Sequence, residues 1–249
     1  MNAPECFKKA VRWQTAGSWL FGLNALLSFG LIFTKGTRIE PFLAALLCAM
    51  VVGSLFVSLW SRCLINNGNT AQRTAQFADA FGVSCEHPVR DGYYNSSLRP
   101  GLRRLLATTC ESAGLTKEIL HEMVTDQLFK VAGFGVIFLA YVCYWKSDAN
   151  VIAVAAQTLF SADLVGSSVG MIRYSQKVER AEQALVNFFR TSVDLDDPQA
   201  MAIGLSAHVD YECAKEEAAI LLNSKIYDKR NPDYTERWNR LRTEFKIDA

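Results

Sequence analysis

Apolar positions along this chain gather into four blocks. Trp13 to Thr34 holds no charged residue over 22 positions, with Asn24 the most polar, and Pro41 to Ser61 holds none over 21. A helix rises about 1.5 Å per residue, so about 20 residues cross a hydrocarbon core of about 30 Å. Both blocks are long enough. The short link from Lys35 to Glu40 makes them an antiparallel hairpin. The third block, Val131 to Trp145, has 15 residues and falls short of a full span by itself. Lys130 and Lys146 bound it, and lysine stems reach toward an interface. Tyr141, Tyr144 and Trp145 sit toward one end, as interfacial aromatics do. The fourth block, Ala149 to Ile172, has 24 residues interrupted by Asp163. A carboxylate near mid-span costs roughly 2.5–3.5 kcal/mol on insertion scales. Four spans are therefore expected. The alternative is two spans plus a packed soluble hairpin of the last two blocks. A secretory signal is a poorer reading of the first block, which is long for such a segment and lacks a small-x-small cleavage site before Lys35.

Charge asymmetry orients the spans. On a four-span layout, one side carries Lys8, Lys9, Arg12, Arg62, Arg73, Lys117, Lys130, Arg173, Lys177, Arg180 and Arg190, and the other only Lys35, Arg38 and Lys146. Lysine and arginine stay on the cytoplasmic side. Both termini and the middle segment are therefore expected in the cytoplasm of a multi-pass inner-membrane protein, with almost nothing folded outside.

The polar stretches read as helical too. Ala71, Ala75, Ala78 and Phe81 recur at helical spacing and extend the second block through Phe81. A loop follows, broken by Gly82, Pro88, Gly92, Pro100 and Gly101. Thr116 is placed to cap a helix from Lys117 into the third block. Tyr174, Val178, Ala181, Leu185 and Phe188, spaced 4, 3, 4 and 3, form a seam of about two heptads, either a coiled coil or packing on a neighbouring helix. Val193 to Pro198 is an acidic turn, and a helix from about Gln199 to Leu222 follows. Asn231-Pro232 is expected to open a last helix. Its Tyr234, Trp238, Leu241 and Phe245 share a face, with Arg237, Arg240 and Arg242 off it. That face either docks a partner helix or packs in the same cytoplasmic bundle. The expected fold is all-α: a four-helix transmembrane bundle of two hairpins, 13–61 and 131–172, with a cytoplasmic helical insertion, 62–130, and a helical tail, 173–249.

Composition narrows the classes. The chain has 249 residues, half of them apolar and a fifth charged, with formal net charge +1. That excludes a disordered chain and a small disulfide scaffold. It also removes the bulk electrostatic case for binding a DNA or RNA polymer. Seven cysteines without CxxC spacing indicate neither a disulfide framework nor a zinc site. No phosphate-binding glycine loop, GxSxG or HExxH is present, so no catalytic residue, metal or resident cofactor is assigned.

Two clusters carry candidate chemistry. Asp163, Gly166, Ser167 and Gly170 share one helical face, with Gly166 and Gly170 forming a GxxxG pair. Small residues let helices approach closely in lipid, and an acid on that face avoids hydrocarbon. The face suits an assembly interface of a homo-oligomer or a water path; the alternative is an Asp satisfied inside a static bundle. Arg90, Tyr93, Tyr94, Arg99, Arg103 and Arg104 form the densest basic-aromatic cluster. They suit a phosphate-bearing ligand or anionic headgroups, or are simply a solvated surface.

The layout resembles the four-transmembrane effectors encoded beside bacterial second-messenger nucleotidyltransferases, the CBASS-type anti-phage systems. Phe77-Ala78-Asp79-Ala80-Phe81-Gly82-Val83 is similar to the acidic-aromatic motif that opens the family's cytoplasmic insertion, with Asp79, Phe81 and Gly82 its matching positions. Ile226-Tyr227-Asp228-Lys229-Arg230-Asn231-Pro232 is similar to the turn before the family's last aromatic segment, with Asp228 and Arg230 matching. Ser84-Cys85 stands where the family pattern has Pro-Trp. The resemblance implies a dormant membrane protein that a cyclic oligonucleotide signal switches on to disrupt the inner membrane. A membrane-anchored scaffold that recruits a cytosolic partner through its last helix is the alternative.

Overall fold

A computed structural model describes residues 2–34, 36–83, 98–144, 162–191, 197–245 and 247. Among them the chain is all-helical and has no strand. Six helices follow one another: α1 (Ala3–Phe33), α2 (Glu40–Phe81), α3 (Leu102–Tyr144), α4 (Ala162–Arg190), α5 (Pro198–Ala218) and α6 (Ser224–Glu244). They divide into two compact units. One holds residues 3–65 and 126–169, the other residues 66–125 and 170–249.

The first unit contains all of α1 and α2's apolar run. Gly36, at φ 80°, turns the chain between them, and its N–H donates to Glu40 Oε2 at 2.7 Å. Val57 lies against Gly17, and the two are equally far from that turn, so α1 and α2 run antiparallel. The hydroxyls of Thr15, Ser18 and Ser28 donate to the carbonyls of Val11, Gln14 and Asn24 one turn back. This satisfies a polar group without water. Large apolar side chains face outward: Trp19 is 72% exposed and Phe129 75%, and Phe42, Val52, Leu55, Leu59, Val136 and Leu139 are exposed as well. Among the described residues one helix, α2, is long and apolar enough to cross a membrane.

The second unit is built the other way. Leu106, Leu185, Phe188, Tyr234 and Trp238 share one buried cluster; Leu120, Tyr174, Val178, Ala181 and Tyr211 share another. All five seam positions of α4 are thus core residues, and the partners that cover them are helices of the same chain. Gly204 lets α5 approach closely, since a Cβ there would lie 2.5 Å from Leu106 Cδ1.

Three sequence expectations need correction. Thr116 caps nothing: α3 runs unbroken from Leu102, and Thr116 is buried mid-helix at 3.1 Å from the Tyr211 hydroxyl. A side chain with a tertiary partner has no need of a helix end. The fifth helix ends at Ala218, where Ala219 takes the left-handed conformation (φ 46°), short of Leu222. The last helix starts at Ser224, capped by Asn223, whose side chain accepts from the Lys225 N–H at 3.0 Å. Pro232 therefore lies inside α6, where it withholds the N–H that would bond the Asp228 carbonyl. A real cap upstream and aromatic anchors downstream outweigh that local defect.

Candidate functional site

Three polar constellations stand out in the second unit. The first closes the α2–α3 turn. Gly82, at φ 66°, ends α2: its N–H donates to Asp79 O at 3.3 Å, and the Val83 N–H donates to Ala78 O at 2.9 Å. This paired pattern satisfies last-turn carbonyls and favours glycine at the left-handed position. The Gly101 N–H, just before α3, donates to Ala80 O at 2.7 Å. Arg104 then grips Asp79 with two bonds, Nη2 to Oδ1 at 2.6 Å and Nε to Oδ2 at 3.1 Å, and its Nη1 reaches Leu98 O at 3.4 Å. A forked guanidinium–carboxylate pair with both side chains more than four-fifths buried fixes two helices in orientation as well as distance.

The sequence treated Asp79 and Arg104 as members of different clusters; the fold makes them one clamp. Arg104 is committed to that clamp, and the Arg103 Nε donates to the buried Ile247 carbonyl at 3.0 Å. Both arginines, expected as ligand candidates, thus carry bonds within the bundle. Arg99 is exposed, while Arg90, Tyr93 and Tyr94 lie outside the described residues. Phe81 is exposed and stacked on Phe77, ring centroids 6.4 Å apart.

The second constellation fastens α6 to α3. Glu122 accepts from Lys229 Nζ and from Arg230 Nε, each at 2.8 Å, and Glu118 pairs with Arg237. These bonds hold the Glu122 carboxyl below the ordinary carboxylate range. Arg230, matched on family grounds, is therefore an ion-pair partner within the bundle, and Asp228 is exposed. Between these pairs, Tyr234 and Trp238 are buried and Leu241 packs against the same cluster. Of the two expectations for Tyr234, Trp238 and Leu241, partner docking or packing in the same bundle, the burial matches the second: their face meets the chain's own core. Gly114 makes room for it, because a Cβ there would lie 2.2 Å from the Tyr234 hydroxyl.

The third constellation escaped the sequence reading. Gln76 of α2 donates through Nε2 to Thr108 Oγ1 at 3.3 Å and Thr109 Oγ1 at 3.1 Å, both on α3, and Thr109 Oγ1 lies 2.8 Å from His208 Nδ1 on α5. All four residues are buried. Nearby, Lys117 bonds Glu182 at 3.0 Å and Lys215 bonds Glu212. The one available signal was that Gln76, Thr108, Thr109 and His208 interrupt otherwise apolar faces, and that becomes legible only once three helices meet.

Gly166 and Ser167 are exposed, and among the described residues nothing lies within 4 Å of a Cβ placed on Gly166 or Gly170. The side chain turned inward is Ser168, which accepts from Gln127 Nε2 at 3.3 Å. Asp163 belongs to α4's first turn, and its side chain lies outside the described residues.

Among the described residues no group of three or more histidine, cysteine or acidic side chains is placed to hold a metal. Burial, together with Glu182 and Glu111, pushes the Cys110 thiol far above its ordinary range, which leaves it inert as a nucleophile. The geometry described is that of clamps and interfaces. No family model, no curated protein and no solved structure matches the chain.

Proposed function

We propose that the chain is a multi-pass effector of the bacterial inner membrane, with four spans and both termini cytoplasmic, that assembles within the bilayer and permeabilises it when a cyclic oligonucleotide signal arrives. The observation that carries this reading is the outward-facing apolar surface of the unit formed by residues 3–65 and 126–169. Side chains such as Trp19, Phe42, Leu59 and Phe129 are left largely uncovered by the described residues, and hydrocarbon is the solvent that suits them. Among the described residues nothing covers Gly166 or Gly170, which supports assembly with further copies, and Asp163 and Ser167 share that face by helical register. A ligand shifts the closed–open equilibrium only by its difference in affinity for the two states. Arg99, with Arg90, Tyr93 and Tyr94, is the part of the basic-aromatic cluster left for phosphate.

The test is release of an encapsulated dye from liposomes carrying the purified chain, with and without cyclic dinucleotides and trinucleotides. Nucleotide-dependent leakage that Gly166→Leu abolishes is the expected result. Absence of leakage with every nucleotide sinks the reading.

A membrane-anchored scaffold is the second reading, and a specific surface favours it, although not the one on α6. α5 exposes Met201, Leu205 and Val209, which share one face by their spacing and suit an apolar partner. That reading expects Leu205→Ser with Val209→Ser to release a bound partner while Gly166→Leu changes nothing.

A further inference from the structure

α5 is built inside out. Its buried positions are Ala200, Gly204, Ala207, His208, Tyr211, Glu212 and Ala214, small or polar, while its large aliphatic side chains face outward. The apolar contacts of α5 are therefore those of alanines, the Gly204 backbone and the Tyr211 ring, and these are joined by polar bonds. One of them is the bond between His208 and Thr109.

We propose that His208 is an acid-sensitive latch: neutral, it joins α5 to α2 and α3, and its protonation loosens α5 from the bundle. Thr109 Oγ1 lies 2.7 Å from the Leu105 carbonyl, 3.1 Å from Gln76 Nε2 and 2.8 Å from His208 Nδ1. The neutral ring makes the Thr109 bond in either tautomer, donating from Nδ1 or accepting there. The ring is 3% exposed and meets Phe77 edge to face, centroids 5.4 Å apart.

A second ring proton would create a buried cation. The charged groups around it oppose one another: Glu212, one helical turn along α5, favours the cation but is engaged by Lys215 at 3.1 and 3.3 Å, while Lys215 of α5 and Arg73 of α2, the latter paired with Glu216, disfavour it; α3 brings neutral Thr108 and Thr109. Burial, the largest influence, accordingly holds the imidazole below its ordinary range.

The sign follows from that depression. Above the ordinary histidine pKa of about 6.5 both folded and opened forms are neutral, and the latch is intact. As pH falls below that value the opened form binds the proton first, so closure weakens by up to about tenfold per pH unit until the folded-state value is reached.

The experiment is hydrogen exchange on the full chain in detergent micelles, comparing wild type with His208→Asn from pH 7 to pH 5. Asparagine keeps a donor near the Nδ1 position and does not titrate. In the wild type, protection of residues 198–218, corrected for intrinsic exchange, should fall below pH 6.5 by several-fold or more. In His208→Asn that pH dependence should vanish. Equal pH dependence in both proteins, or none in the wild type, overturns the latch. Should His208→Asn fail to fold, titration of the wild-type imidazoles by NMR decides: His208 titrating at or above the ordinary value overturns it equally. Neither readout depends on membrane leakage.

Discussion

The two units hold similar apolar side chains in opposite places. In the unit of residues 66–125 and 170–249, Trp238 is 3% exposed, and leucine, valine and phenylalanine fill two internal clusters. In the unit of residues 3–65 and 126–169, Trp19 is 72% exposed and most large apolar side chains of α2's first half face out. Polar groups differ as well. Hydroxyls fold back onto carbonyls of their own helix in both units, but the first-named unit also buries Gln76, His208, Glu182 and Glu212 with partners on other helices or the next turn. On the proposed membrane reading, one chain follows two solvent rules. Water drives apolar area inward, roughly 25 cal/mol per Å². Hydrocarbon gives no such drive and demands only that polar groups be satisfied locally.

Removing an apolar anchor from the inward-built unit should do the most damage. Trp238→Ala should lower stability by about 3–5 kcal/mol, the range for a large buried aromatic. Denaturant unfolding in detergent, followed by near-UV circular dichroism, measures it. An equal loss from Trp19→Ala would break the contrast between the units.

Placing a charge on the outward-built unit sharpens it from the other side. Val52→Arg, mid-block on α2, should reduce membrane insertion by roughly 2.5–3.5 kcal/mol if hydrocarbon surrounds that position. A glycosylation-tagged insertion assay reads this directly. Unchanged insertion would mean that water or protein covers Val52.

The smallest effect is expected at the rim of the inward-built unit. Glu122→Gln removes the shared partner of Lys229 and Arg230, all partly exposed and screened by salt. The Glu122 carboxyl is held below its ordinary value by those bonds, so its contribution is present at neutral pH and is lost as pH falls below about 4.5 and through the folded value. Thermal melts at pH 7 and pH 4, in low and high salt, should show a small wild-type advantage only at neutral pH and low salt. That acid window lies below the one expected for His208, so the two groups separate by pH.

Much of the local architecture was legible beforehand. The helical spacing of Ala71, Ala75, Ala78 and Phe81 carried α2 to its correct end, and Gly82 and Gly101 marked the turn that follows. The seam from Tyr174 to Phe188 was readable as a buried stripe because its period matches a helix face. Three helix boundaries misled. Thr116 has the side chain of a cap but spends its hydroxyl across the bundle; Ala219 ends α5 without glycine; and Pro232 has the ring of a helix start but sits within α6. The clamp of Asp79 with Arg104 and the chain through Gln76, Thr109 and His208 join residues 25 to 99 positions apart.

What is local or periodic was therefore written in the order of residues: helix content, the uncharged blocks, the stripe on α4 and the glycine turn each follow from neighbours a few positions away. The choice among equally apolar faces belonged to the folded chain. Whether Trp238 meets a partner or its own core, and whether Arg104 meets a ligand or Asp79, turns on which distant helix arrives to cover it, and no short-range rule of backbone geometry encodes that encounter.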